Sequence, residues 1–320
     1  MKELRIAIVG MGGIGHTHLA GWKQVPHTRV VAFCVHRSAP DGEIPSYTDL
    51  SELLAREKPD IVDICTPTDT HPQLVMTALQ GGADVICEKP AALTAELAQQ
   101  MCRCAAREKR HLYFAQVMRF TKEFQFLSEL VRTNRYGPVT DASFWRLAQG
   151  PQPESWFAQK ERSGQLLYDL HIHDLDMIAA LFGAPEAAQL YCAQASDNPC
   201  QEIVRADYSY PGFRVHAEAA WYRAPLSWTA GWRVCFRDAV LDYDGKRMLA
   251  YENGGAVQSY DLRDEVLIDT GINVPPCGWY YNELAHFAAC VRADIDSPVV
   301  PNDQIVTVLR ILQRAAQPQT

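Results

Sequence analysis

No cysteine pair in this chain has the spacing of a zinc site. The ten cysteines include no C-x-x-C, and Cys102 and Cys104, one residue apart, match no common zinc pattern. Scattered thiols of this kind fit reduced, mostly buried side chains in a cytoplasm. The chain also lacks an apolar run of about 18 residues, the length that spans a bilayer. Its opening stretch, MKELRIAIVG, has no long apolar segment of the signal-peptide kind and runs straight into a strand-like pattern. Positive charge is not in excess: the formal net charge is −8, which argues against a phosphate-backbone partner. Even the basic stretch 103–110, RCAAREKR, contains acids and reads as a solvated helix face. The expectation is a soluble cytoplasmic protein that binds neither nucleic acid nor membrane.

What is present is 320 residues, 48% of them apolar and 21% charged, enough for two domains with substantial cores. Residues 5–9, 30–35, 61–65 and 85–87 read as buried strands. Helical patterns at 16–24, 50–57 and 73–80 lie between them, the last stopped by Gly81-Gly82. A fifth unit, helix 94–107 then strand 112–117, continues the alternation. Near-continuous apolar strands alternating with helices imply a doubly wound parallel sheet, a Rossmann domain over residues 1–118. Beyond 119 the runs 139–147, 203–210, 214–221, 233–236 and 239–243 are longer and partly alternating. Pro211-Gly212 and Asp244-Gly245 suit hairpin turns. Residues 119–320 are therefore expected to form an α/β domain with an open, largely antiparallel sheet, ending in helices at 282–293 and 303–316.

The stretch IAIVGMGGIGHTHLA sets Gly10, Gly12 and Gly15 as G-x-G-x-x-G, directly after the first strand. In that context Gly10 permits the tight turn, Gly12 lets a pyrophosphate approach and Gly15 lets helix and strand pack closely. The helix start, including Gly13 and Ile14, offers N–H groups and partial positive charge to the phosphates. An acid at the end of the second strand would bind a ribose 2′-hydroxyl, but that stretch is CVHRS. His36 and Arg37 instead offer donors and charge to a 2′-phosphate, which favours NADP over NAD.

A second feature is DVICEKPAALT, where Pro90 keeps Lys89 extended as the chain leaves the fourth strand. Ligands of open α/β sheets bind beyond the carboxyl ends of strands, so Lys89 is placed where a nicotinamide would lie. From Cys65 to Pro90, CTPTDTHPQLVMTALQGGADVICEKP, the chain resembles the glucose–fructose oxidoreductase/inositol dehydrogenase/MocA family. Thr66, Pro67 and His71 match its T-P-x-x-x-H element, Ala78, Leu79 and Gly82 a helix end, and Glu88 to Pro90 its E-K-P tripeptide. The resemblance implies that Thr66, Pro67, His71 and Glu88 serve the cofactor side of the site. It extends through WFAQKERSGQLLYDLHIHDLD towards the C-terminal helices.

Within that stretch, residues 168–176 hold Asp169, His171, His173, Asp174 and Asp176. Leu175, Ile178, Ala179 and Phe182 recur at helical spacing, so Asp169, His173 and Asp176 share one face. His171 and Asp174 point elsewhere, which disfavours a metal site using both histidines. Relatives carry an Asp and a His four residues apart on a helix facing the substrate, which implies a catalytic set of Lys89, Asp169 and His173. Oxidising a secondary alcohol needs a base for the hydroxyl proton as hydride leaves carbon. His173 or Lys89 fits that task, Asp169 can orient the imidazole, and Lys89 can stabilise alkoxide charge.

Two departures from the family pattern bear on substrate: Gln165 follows Gly164 where glycine is common, and His171 fills a position that is often small. His171 is accordingly expected to touch substrate, and the resemblance implies a pocket role for Trp156, which sits where relatives place an aromatic. Arg119 could reach the ligand or form a surface ion pair, and of His16 and His18 one is expected to pack. The resemblance implies an NAD(P)-dependent dehydrogenase of sugars, cyclitols or related polyols, acting as a homodimer or homotetramer. Two alternatives are a glycoside-cleaving enzyme that oxidises its substrate transiently on a tightly held cofactor, and a non-catalytic nucleotide-binding regulator.

Overall fold

The computed structural model of the chain describes residues 2–35 and 42–316. His36 and Arg37 lie outside the described residues.

The chain forms two compact units, 1–120 with 264–306, and 121–263 with 307–320. In the first, the elements are β1 (Leu4–Val9), α1 (Gly13–Trp22), β2 (Thr28–Cys34), β3 (Ser46–Tyr47), α2 (Leu50–Glu57), β4 (Ile61–Ile64), α3 (His71–Gln80), β5 (Asp84–Cys87), α4 (Ala95–Glu108) and β6 (Leu112–Phe114). The six strands run β3-β2-β1-β4-β5-β6, all parallel. The order reverses at β1, between β2 and β4, where such sheets bind ligands at their carboxyl ends. β4 and β5 are buried throughout, as strands covered on both faces must be. Asp49 caps α2 by accepting the Glu52 N–H, and Thr94 caps α4 by accepting that of Leu97.

The expected boundary at 118/119 is followed by a return of the chain. Residues 264–306 pack with the first unit, and α8 (Trp279–Ala293) lies against α1. Gly21 makes that approach possible: a Cβ there would stand 2.8 Å from Leu284 Cδ1. Arg119 is buried rather than on the surface and donates to Val299 O and Gln304 Oε1.

The second unit contains α5 (Lys122–Thr133), β7 (Val139–Gln149), the short α6 (Lys160–Ser163), α7 (Ile172–Phe182), β8 (Ala187–Ala195), β9 (Asn198–Tyr210), β10 (Phe213–Tyr222), β11 (Thr229–Phe236), β12 (Ala239–Tyr243), β13 (Met248–Glu252) and β14 (Val257–Tyr260). α9 (Asn302–Ala315) ends the described chain. The sheet order is β14-β13-β12-β11-β7-β10-β9-β8, antiparallel except for the β7–β10 pair. Pro211-Gly212 forms the β9–β10 turn, with Gly212 at φ +84°. One face buries Ala142, Phe144, Val204, Tyr208, Val215 and Ala217. Among the described residues no helix is long and apolar enough to cross a membrane.

Candidate active site

The glycine turn after β1 has the geometry of a phosphate site. Gly10 sits at φ +89°, and a Cβ there would meet Cys65 O at 2.7 Å, so only glycine fits. Gly15 packs harder still, its added Cβ falling 2.1 Å from Gly10 O. Gly12 differs: nothing lies within 4 Å of where its Cβ would stand. It precedes the first turn of α1, which holds no acid, so the N–H groups that lack helical partners there meet no acid of that turn. Gly13 is pressed against the Gly271 carbonyl and the Ile272 side chain, and Ile14 is half-buried in the first turn. These residues fit a dinucleotide pyrophosphate.

His71 ties the other two motifs of this unit together. It is fully buried, with Nδ1 2.9 Å from Pro90 O and Nε2 2.8 Å from Thr66 O. Burial lowers its basicity, partly opposed by these carbonyls. Thr66 also shares a hydroxyl contact with Thr70, and Pro67 O accepts the Thr70 N–H, which closes the turn after β4. His71 therefore holds the β4 and β5 ends in register instead of presenting its ring outward.

Beyond β5, Glu88 is buried and Lys89 half-buried, and the Lys89–Pro90 peptide is cis. Glu88 Oε2 accepts the Lys89 N–H at 2.9 Å, while Oε1 lies 3.1 Å from His18 Nε2. His18 Nδ1 in turn is 2.9 Å from Asp63 Oδ2, which also accepts Trp22 Nε1–H at 2.7 Å. Of the two early histidines, His18 is the one that packs. His16 is exposed beside the turn, with Nδ1 2.9 Å from Gly12 O.

In the second unit, residues Leu167–His171 form a wide π-helical turn that runs directly into α7. Such turns are uncommon and concentrate at functional sites. At about 100° per residue, His171 and Asp174 face one side of the helix while Asp169, His173 and Asp176 face the other. The contacts agree. His171 Nε2 lies 2.7 Å from the Tyr208 hydroxyl on β9, and Asp174 accepts from Arg146 Nη2 of β7 at 2.9 Å. Both residues thus face the sheet. Burial lowers His171 to about 4, with the Arg146 charge adding to it. Burial raises the Asp174 carboxyl, against the pull of Arg146. Asp169 is half-buried and His173 is 7% exposed. Trp156, half-buried in a short turn, stacks on Phe157 with ring centres 4.1 Å apart.

Residues 4–116 match the family model described as an oxidoreductase family with an NAD-binding Rossmann fold, and 124–241 match the GFO/IDH/MocA C-terminal domain. The chain belongs to the GFO/IDH/MocA family. A D-glucoside 3-dehydrogenase of Escherichia coli (strain K12) is 31% identical over 195 residues, 58% of this chain and 55% of that protein. The chain spans about half the length of several such curated relatives. An inositol 2-dehydrogenase of Rhizobium meliloti (strain 1021) matches more extensively, 28% identical over 95% of this chain and 94% of that protein. The fold resembles the crystal structure of an aldose-aldose oxidoreductase from Caulobacter crescentus complexed with glycerol. That likeness has TM-score 0.84 and 21% identity and covers 98% of both chains.

Several polar residues of this GFO/IDH/MocA chain escaped the sequence reading: Asp63, Arg146 and Glu283, all buried. The signal was a lone charge on an otherwise inward-facing apolar pattern, IVDI for Asp63 and the Phe144–Arg146–Ala148 alternation for Arg146. Two buried sets, His18 with Asp63 and Cys65, and His18 with Glu88 and Glu283, bring their polar atoms within 4.8 Å of one another. Both His18 ring nitrogens already face carboxylate oxygens, so we read His18, Asp63, Cys65 and Glu88 as one hydrogen-bonded network with Glu283 beside it.

Proposed function

We propose that this chain is an NAD(P)-dependent oxidoreductase acting on a secondary hydroxyl of a sugar, cyclitol or related polyol. One observation carries the reading. A glycine turn with open space at Gly12 and a lysine at the carboxyl end of β5 occur in one parallel sheet, on the side where such sheets bind ligands. The names of the glucoside and inositol dehydrogenase relatives support the substrate class.

A bound nicotinamide supplies the hydride acceptor. Lys89, Asp169 and His173 supply the acid–base groups. His173 accepts the hydroxyl proton as general base. Asp169, four residues earlier and on the same side of the helix, orients that ring and favours the imidazolium. The Lys89 ammonium donates to the substrate oxygen and stabilises alkoxide charge as it develops. Gly10, Gly12, Gly13 and Ile14 hold the pyrophosphate, with Thr66 and Pro67 alongside. His71 and Glu88 act from behind, shaping the strand ends. His36 and Arg37 select NADP over NAD through the 2′-phosphate. Trp156 offers an indole face to a sugar ring, whereas the burial of His171 against Tyr208 supports a packing role for it.

The ten cysteines, none of them in a disulfide, support a reducing cytoplasm. The outward face of the second sheet supports a homodimer or homotetramer. It mixes half-buried Trp145, Leu147 and Ile203 with the cross-strand pairs Arg205–Glu218 and His216–Asp207.

Fluorescence titration of cofactor-stripped protein with NADPH and NADH tests the reading. Both should bind, NADPH more tightly, and Arg37→Ala should weaken NADPH by about tenfold or more while sparing NADH. Equal weakening would remove the 2′-phosphate assignment, and binding of neither nucleotide would overturn the oxidoreductase reading. Sugar release from a glycoside without added nucleotide would point instead to transient-oxidation chemistry.

A further inference from the structure

His18 lies on the phosphate-binding helix, yet its ring is fully buried and turned away from the turn. Groups from three other elements face it: Asp63 and Cys65 at the end of β4, Glu88 after β5, and Tyr280 and Glu283 on α8. Trp22, on its own helix, completes the shell through Asp63. Its two nitrogens each meet a carboxylate, Nδ1 with Asp63 at 2.9 Å and Nε2 with Glu88 at 3.1 Å. A neutral imidazole has one N–H and would turn a lone pair towards the second carboxylate. An imidazolium donates to both and leaves neither charge bare.

We propose that His18 is a positioning residue for Lys89, acting through the Glu88 carboxylate. The geometry is a relay of direct contacts. His18 holds Glu88 Oε1, and Glu88 Oε2 accepts the Lys89 backbone N–H. The direction in which the chain leaves β5 is thereby set by a side chain of α1, the helix whose N-terminus takes the phosphates. Burial, the largest single effect, would push His18 down, but Asp63 and Cys65 together outweigh it and carry the ring well above its ordinary value. Burial also raises the Cys65 thiol, the Tyr280 phenol and, with Glu88 adding, the Glu283 carboxyl. Among these facing groups His18 is the basic one, placed between the Asp63 and Glu88 carboxylates. Glu283 is fully buried, and that burial favours its neutral acid over the anion. The inference rests on the catalytic role proposed for Lys89, but the contacts that carry it do not.

Hydrogen exchange of the Lys89 amide, measured by NMR without substrate, tests it. In His18→Gln this amide should exchange at least about tenfold faster than in wild type, as loss of one charge-assisted hydrogen bond implies. In turnover, kcat for polyol oxidation should fall by about tenfold with cofactor KM changed less than about twofold, the split expected when only the positioning of a reacting group is lost. Unchanged Lys89 exchange in the folded variant overturns the proposal. If His18→Gln does not fold, His18→Gln/Asp63→Asn removes the cation with one of its carboxylates and is read the same way. Exchange is independent of activity, so a protein inert towards every polyol would sink the functional reading without deciding this one.

Discussion

The two histidines of the segment 168–176 stand on opposite sides of one helix and carry different chemistry. His173 belongs to the side proposed to meet substrate. His171 faces Tyr208, fully buried, and is held down to about 4 by burial and by the charge of Arg146. The unfolded chain therefore binds a proton at this residue between about pH 6.5 and 4 that the folded chain refuses. Its contribution to stability is present above pH 6.5 and is lost as the pH falls towards 4. In urea denaturation at pH 7 and 4.5, His171→Gln should lose roughly 2–3 kcal/mol less stability than wild type between the two values. Equal losses would mean that the ring is not held neutral. That Asp169 and His173 share a side of the helix was legible from spacing alone, because helical angles are predictable. The burial of His171 was not, since it depends on a tyrosine 37 residues away.

At the level of elements, the glycine turn separates two functions that one motif combines. Gly15→Ala would drive a methyl into Gly10 O, and overpacking of backbone on backbone should cost about 1–3 kcal/mol. Gly12→Ala meets open space in the free protein, so its unfolding midpoint should stay near wild type while NADPH binding weakens sharply. Thermal denaturation and fluorescence titration of the two variants check this, and a destabilised Gly12→Ala that still binds NADPH would contradict it. Elements with a strong buried pattern were readable, such as α2, whose limits Leu50–Glu57 match the apolar period and the Asp49 cap. β8 was not, because most of its residues are half-buried or exposed along an edge and offer no clean alternation. β14 is four residues with no buried face, and the π turn at 167–171 has no local signature. α5 could have been found from Thr121, which caps it, and Glu123 in its first turn.

Across the whole molecule, strand–helix alternation made the parallel sheet legible, and partly alternating strands made the second sheet legible. The return of residues 264–306 to the first unit was not, because it is a long-range packing event. Its trace is the apolar face of α8, where Tyr280, Leu284 and Phe287 are buried, and Gly21, which makes room for it. That return also brings Glu283 to the His18 network, so the Rossmann unit is complete only with a segment from the far end of the sequence.

The most direct test of the central claim is the 340 nm time course with NADP⁺ or NAD⁺ and a panel containing myo-inositol, D-glucose and methyl α-D-glucoside. The account predicts reduction of the cofactor by at least one polyol. His173→Ala should lower kcat by about a hundredfold or more, the scale of general-base catalysis, with cofactor affinity retained. Lys89→Ala should fall comparably. A wild-type rate that survives both substitutions would contradict the account.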